Sequence, residues 1–141
     1  MEPRDEAGLV ALFHEMQAHY RTPCQPNATI LSDLHSLSAE VTILVALDPK
    51  VVGVATLCVV YPGPGLRLGL FMKDLFVSAP RRGGGIGSAL FRAAAEFALA
   101  RGYPRLEWTA DRDDEQLLAL YRRAGAVGQR ERVSGRSGCS G

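Results

Sequence analysis

Four glycines in five residues, at positions 83–87, separate two stretches of opposite character. Before them, Leu66–Val77 reads as a long strand ending at Ser78-Ala79-Pro80. After them, Ile86, Leu90, Ala93, Ala94, Phe97 and Ala98 recur on one helical stripe that runs to about Arg101. Glycine costs a helix about 1 kcal/mol relative to alanine, so glycines at the mouth of an alanine-rich helix point to backbone reach rather than helix propensity. A helix start leaves N–H groups without intrahelical acceptors and carries partial positive charge. A loop without Cβ atoms lets a phosphate approach those amides. Taken alone, though, such a loop is more often a plain turn between strand and helix.

The elements around the loop narrow the fold. Leu9, Leu12, Phe13, Met16 and Tyr20 have helical spacing across residues 8–21, and Asn27 is placed to cap a second short helix through about His35. Val41–Leu47 and Val51–Tyr61 are β-branched runs joined by Asp48-Pro49-Lys50, which predicts a hairpin. Pro62-Gly63-Pro64-Gly65 turns the chain into the Leu66–Val77 strand. Beyond the loop helix, Gly102 and Pro104 forbid continuation, and Leu106–Thr109 is a short strand. A helix from the acidic stretch at Asp111–Asp114 to Ala124 follows, then a short strand at Gly128–Val133. The order, two helices, antiparallel strands, then strand–loop–helix–strand–helix, predicts a mixed sheet flanked by helices, in the α/β to α+β range. A chain of 141 residues is expected to form a single domain, residues 1–141, with a frayed Gly/Ser-rich tail at about 134–141.

Composition excludes several function classes. The formal net charge is +1, and Lys50 and Lys73 are the only lysines. No basic face with interleaved aromatics supports nucleic-acid binding, and no apolar run reaches the roughly 18–20 residues that span a bilayer. Cys24, Cys58 and Cys139 make an odd count without metal-knuckle spacing, and His14, His19 and His35 share no ligand spacing with them. The expectation is a cytoplasmic protein without a disulfide framework, bound metal or membrane segment.

Three phosphate-loop chemistries compete for the glycines. A nucleoside-triphosphate loop needs a lysine before Ser88, and Gly87 stands there. A dinucleotide fingerprint needs a third glycine where Ser88 or Leu90 falls, despite Glu107 about twenty residues downstream. The third fits. Arg82-Gly83-Gly84-Gly85-Ile86-Gly87 resembles the R-x-x-G-x-G acyl-CoA loop of the GNAT N-acetyltransferase superfamily. Lys73-Asp74-Leu75-Phe76-Val77 resembles the strand before that loop, and Glu107-Trp108-Thr109 with Leu120-Tyr121-Arg122-Arg123-Ala124-Gly125-Ala126 resembles its late strand and helix. The spacing is most similar to the diamine and polyamine acetyltransferase branch, over about Leu70–Ala126.

That resemblance implies a central, mostly antiparallel sheet splayed at the acetyl-CoA loop, and transfer of an acetyl group from acetyl-CoA to a primary amine of a small molecule. It implies that the backbone of Leu75, Phe76 and Val77 pairs with the pantetheine arm as an added strand. It implies that Arg82, Gly83, Gly84, Gly85, Ile86, Gly87 and Ser88 hold the pyrophosphate, and that Asp114 and Leu117 lie along the CoA arm. Tyr121 takes the position of the general acid that protonates the departing thiolate. The reference pKa of tyrosine, about 10, lies above the roughly 8.5 of an alkyl thiol. Asp74, Glu107, Trp108 and Thr109 are the implied acceptor-side residues. The chain departs from the branch in three places. Lys73 replaces a glutamate and opposes a polycationic acceptor, Asp114 replaces an asparagine, and Leu117 replaces a small residue. The short C-terminal strand adds the expectation of a homodimer whose second subunit completes the site. Two alternatives stay open at this point: acetylation of a protein α-amine or lysine, and a CoA-binding module without turnover.

Overall fold

The computed structural model describes residues 3–110 and 130–133. Two helices, α1 (Pro3–His19) and α2 (Asn27–His35), lead into strands β1 (Val41–Leu47), β2 (Val51–Val60) and β3 (Gly69–Val77). Helix α3 (Ile86–Ala100), strand β4 (Leu106–Ala110) and strand β5 (Arg130–Val133) follow. The strands form one sheet in the order β1-β2-β3-β4-β5. The first three run antiparallel, and β4 and β5 are each parallel to their neighbour. The sheet is therefore mixed, as expected, with its antiparallel part at the N-terminal end.

Side-chain alternation along the strands splits the core into two layers. On one face, Ala55, Leu57, Leu70, Met72, Leu106 and Trp108 pack against Leu90, Phe91, Ala94 and Ala98 of α3. On the other, Val51, Val54 and Phe76 pack against Leu9, Leu12 and Met16 of α1. Phe91 meets Trp108 edge-on at 5.0 Å between ring centres, an aromatic contact worth about 0.5–1.5 kcal/mol beyond its area. The helical stripe read from the sequence omitted Phe91, which lies one position off the main row yet is buried. Gly53 lets α3 settle onto β2: a Cβ there would stand 2.9 Å from Leu90 Cδ1 and 3.0 Å from Ile86 Cγ2.

Two sequence expectations are corrected. Asn27 does not cap α2; Pro26 occupies the N-cap without a side-chain hydrogen bond, and the Asn27 amide oxygen instead meets His14 Nε2 of α1 at 2.5 Å. The third strand begins at Gly69 rather than Leu66, because Pro64–Leu66 forms a 3-10 turn. Cys24 is a free thiol. The helix expected after Asp111 lies outside the described residues. No helix among the described residues is long and apolar enough to cross a membrane.

Candidate active site

The site begins with a register change in β3. Thr56 pairs with Asp74 and Leu57 with Met72, so the register shifts by one residue at Lys73. Such a bulge bends a strand and increases its twist. On its other side β3 pairs with β4 only at Leu70, Phe71 and Met72, while β4 continues beside β5 as far as Ala110. The bulge therefore sits where β3 and β4 part. From Asp74 to Val77, β3 has no β4 strand beside it among the described residues.

The direction of the groups on that edge follows from strand geometry. The Asp74 N–H donates to Thr56 Oγ1 at 3.1 Å, and the Ser78 N–H donates to the Val52 carbonyl at 2.8 Å, both toward β2. Backbone groups alternate sides along a strand, so the N–H and C=O of Leu75 and Val77 face the opened gap. The Val77 carbonyl there accepts from Arg82 Nε at 2.9 Å. Phe76, between them, turns its ring into the α1 layer, and its backbone faces β2. Of the three strand residues expected to line the CoA arm, Leu75 and Val77 thus present main-chain groups to the gap and Phe76 does not.

The loop that follows ends in an uncapped helix. Gly83 and Gly85 have φ of +86° and +84°, left-handed values that disfavour any residue with a Cβ. Added Cβ atoms at both would meet nothing within 4 Å, so the loop surface is open as well as strained for other residues. Gly85 is the N-cap of α3 and supplies no side-chain hydrogen bond, which leaves the first-turn amides of Ile86, Gly87 and Ser88 to an outside acceptor. A bare strand edge leading to uncapped helix amides suits an extended, amide-containing arm that ends in a diphosphate.

Sequence reading missed what holds the loop. Glu15 of α1 accepts from Ser78 Oγ at 2.7 Å and from the Ala79 N–H at 2.8 Å, across 63 and 64 residues of chain. Arg81, next to Arg82 at the loop mouth, is turned away to Asp48, donating to its carbonyl at 2.8 Å and to its carboxylate. Arg82 lies over the Phe76 ring at 5.2 Å, so beyond any contact with phosphate it braces the loop against β3.

On the α1 face, one carboxylate beside the bulge is held in place. Asp74 Oδ2 accepts from Thr56 Oγ1 at 2.9 Å while that hydroxyl accepts the Asp74 N–H. Both residues line a cavity of about 440 Å³ between α1, α2 and β1, together with Lys73, Asp33, Ile43 and Leu34. Its volume lies within the usual range of about 300–1,000 Å³ for small-molecule pockets. Glu107 is not part of it. Only 4% exposed, Glu107 accepts from Arg105 Nε at 2.9 Å within an ion pair buried on both sides.

The expectation that Trp108 contacts the acceptor is corrected. It is 1% exposed in the α3 layer beside its β3 partner Met72, and the bulge at Lys73 carries Asp74 to the opposite face. Thr109 lies in β4 opposite Arg132 of β5. Asp114, Leu117 and Tyr121 lie outside the described residues. No group of three His, Cys, Asp or Glu side chains that could hold a metal occurs among the described residues.

Comparison with known proteins places this architecture. The model of the Acetyltransferase (GNAT) family matches residues 9–126. An integron cassette protein from the mobile metagenome of V. cholerae shares 31% identity over 86% of this chain and 81% of its own, with a TM-score of 0.72. An aminoglycoside acetyltransferase from an uncultured soil metagenomic sample, solved with trehalose, shares the fold at 21% identity and a TM-score of 0.77. That match covers 99% of this chain and 93% of the other. A ribosomal-protein-alanine N-acetyltransferase from Brucella melitensis does so at 20% identity and a TM-score of 0.70, over 99% and 94% of the two chains.

Proposed function

Because the chain belongs to the acetyltransferase (GNAT) family, we propose that it transfers the acetyl group of acetyl-CoA to a primary amine of a small molecule, with Tyr121 as general acid. The observation that carries the reading is the parting of β3 from β4 beside uncapped amides at the start of α3.

Acetyl-CoA supplies an activated acyl thioester. The chain's own groups do the rest. The main-chain groups of Leu75 and Val77 bind an amide-bearing arm as an added strand, and the Leu75 N–H is the donor placed to polarise a carbonyl at the gap. The amides from Gly83 to Ser88 bind the diphosphate, aided by the α3 dipole. Asp74, fixed by Thr56, orients the incoming amine and passes a proton toward solvent. The change forms one C–N bond and breaks one C–S bond. An ammonium acceptor gives up two protons, one matched by Tyr121 protonating the thiolate and one lost to water.

Lys73 at the acceptor cavity argues against the diamine and polyamine acceptors of the branch that the sequence most resembles. The cavity volume, within the usual small-molecule range, favours a small amine over a protein terminus. The proposal includes a homodimer; a monomer mass at micromolar concentration contradicts that part.

The test is thiol release from acetyl-CoA, screened against monoamines, diamines, aminoglycosides, amino acids and peptides. Release with at least one small amine is expected. Saturable acetyl-CoA binding without release from any acceptor favours a binding module and overturns the catalytic reading.

A further inference from the structure

Resting on the acetyltransferase reading, we propose that the acceptor is a monocationic primary amine carried on an apolar body, its ammonium group at Asp74 and its hydrocarbon between α1, α2 and β1. Three observations lead there. The described walls of the cavity are mainly hydrocarbon, including Phe13 and Met16 from α1, Ile30 and Leu34 from α2, Leu37 beyond it, and Ile43 from β1. A sugar-like acceptor would lose water from its hydroxyls against such walls without regaining hydrogen bonds.

The charges in the lining also select. Among the described lining residues, Asp33 and Asp74 oppose Lys73, two carboxylates against one ammonium, for a net charge of −1. One cation balances that, and a second would be pressed against hydrocarbon walls without a counter-charge. Finally, Asp74 stands at the bulge where β3 leaves β4, so an amine held there lies at the start of the bare strand edge. The hydrocarbon of the same molecule extends away from that edge, into the cavity.

The full-length protein is assayed for thiol release with straight-chain amines from propylamine to hexylamine, and with spermidine, an aminoglycoside and a short peptide. The expected kcat/KM rises about three- to fourfold per added methylene and exceeds that of every polycation and peptide. A flat series, or a polycation or peptide that outperforms all monoamines, overturns the inference while leaving acetyl transfer intact.

A second readout needs no turnover. Cys24 is a free thiol in the cavity lining, and its labelling by N-ethylmaleimide is followed by peptide mass spectrometry without acetyl-CoA. Hexylamine at about four times its Kd is expected to slow labelling about fivefold, and spermidine is not. An unchanged labelling rate with hexylamine overturns the inference. Protection without thiol release from any amine supports the acceptor class and contradicts the activity. Leu37→Lys, at a position 43% exposed, adds a second cation at the rim and is expected to lower kcat/KM for hexylamine about tenfold. Unchanged kinetics in that variant count against the proposal.

Discussion

Thr56 and Asp74 grip each other twice across the β2–β3 bulge. The Thr56 hydroxyl donates to the Asp74 carboxylate at 2.9 Å and accepts the Asp74 backbone N–H at 3.1 Å. The hydroxyl accepts this N–H beside the bulge while its own proton holds the carboxylate. One side chain thus ties the Asp74 backbone and the Asp74 carboxylate together at the bulge.

Thr56→Val keeps the β-branched shape and removes both bonds. It is expected to cost about 1–2 kcal/mol in denaturant unfolding. The larger effect is on the acceptor: kcat/KM for the amine falls about ten- to hundredfold as Asp74 loses its position, while acetyl-CoA affinity changes little. A parallel loss of acetyl-CoA affinity would show that Thr56 supports the whole sheet opening rather than Asp74.

Glu15→Ala tests the brace under the loop. Removing the carboxylate strands the Ser78 hydroxyl and the Ala79 N–H, at a cost of about 1–3 kcal/mol in stability. Glu15 does not reach the reacting atoms, so the expected kinetic change is a raised KM for acetyl-CoA with kcat nearly constant. A fall in kcat at unchanged KM contradicts the positioning role.

How far these sites were legible in the sequence depends on their range. The hairpin, the glycine loop and α3 were readable because turn chemistry and periodicity are local. Glu15 was not, since nothing marks a helical glutamate as the partner of residues 63 and 64 positions on. Thr56 passed as an ordinary β-branched strand residue, and Lys73 gave no sign of being the bulged one. Trp108 was the avoidable error. Glu107, Trp108 and Thr109 are consecutive on a strand, and alternation alone forbids all three from facing one side.

Gly85→Ala separates conformation from space. The added Cβ meets nothing, so the expected destabilisation of about 1–2 kcal/mol comes from the left-handed backbone alone. If the loop relaxes to escape it, acetyl-CoA affinity drops in calorimetry. A variant with wild-type stability and affinity would mean that the observed loop conformation is not required for binding.

Tyr121→Phe addresses the general acid. Loss of the hydroxyl is expected to lower kcat about a hundredfold and to leave acetyl-CoA affinity nearly intact. Equal losses in rate and affinity contradict proton donation and assign Tyr121 to binding.

The most direct measurement is residue-resolved amide hydrogen exchange with and without acetyl-CoA. Leu75 and Val77 have N–H groups facing the gap between β3 and β4, and Ile86, Gly87 and Ser88 lack intrahelical acceptors at the start of α3. The expected result is slowed exchange at Leu75 and across the loop amides on addition of acetyl-CoA, with little change at Asp74, whose N–H is already bonded to Thr56. Unchanged exchange at Leu75 and at the first-turn amides of α3 under saturating acetyl-CoA would contradict the claim that this opened edge and helix start hold the acyl donor.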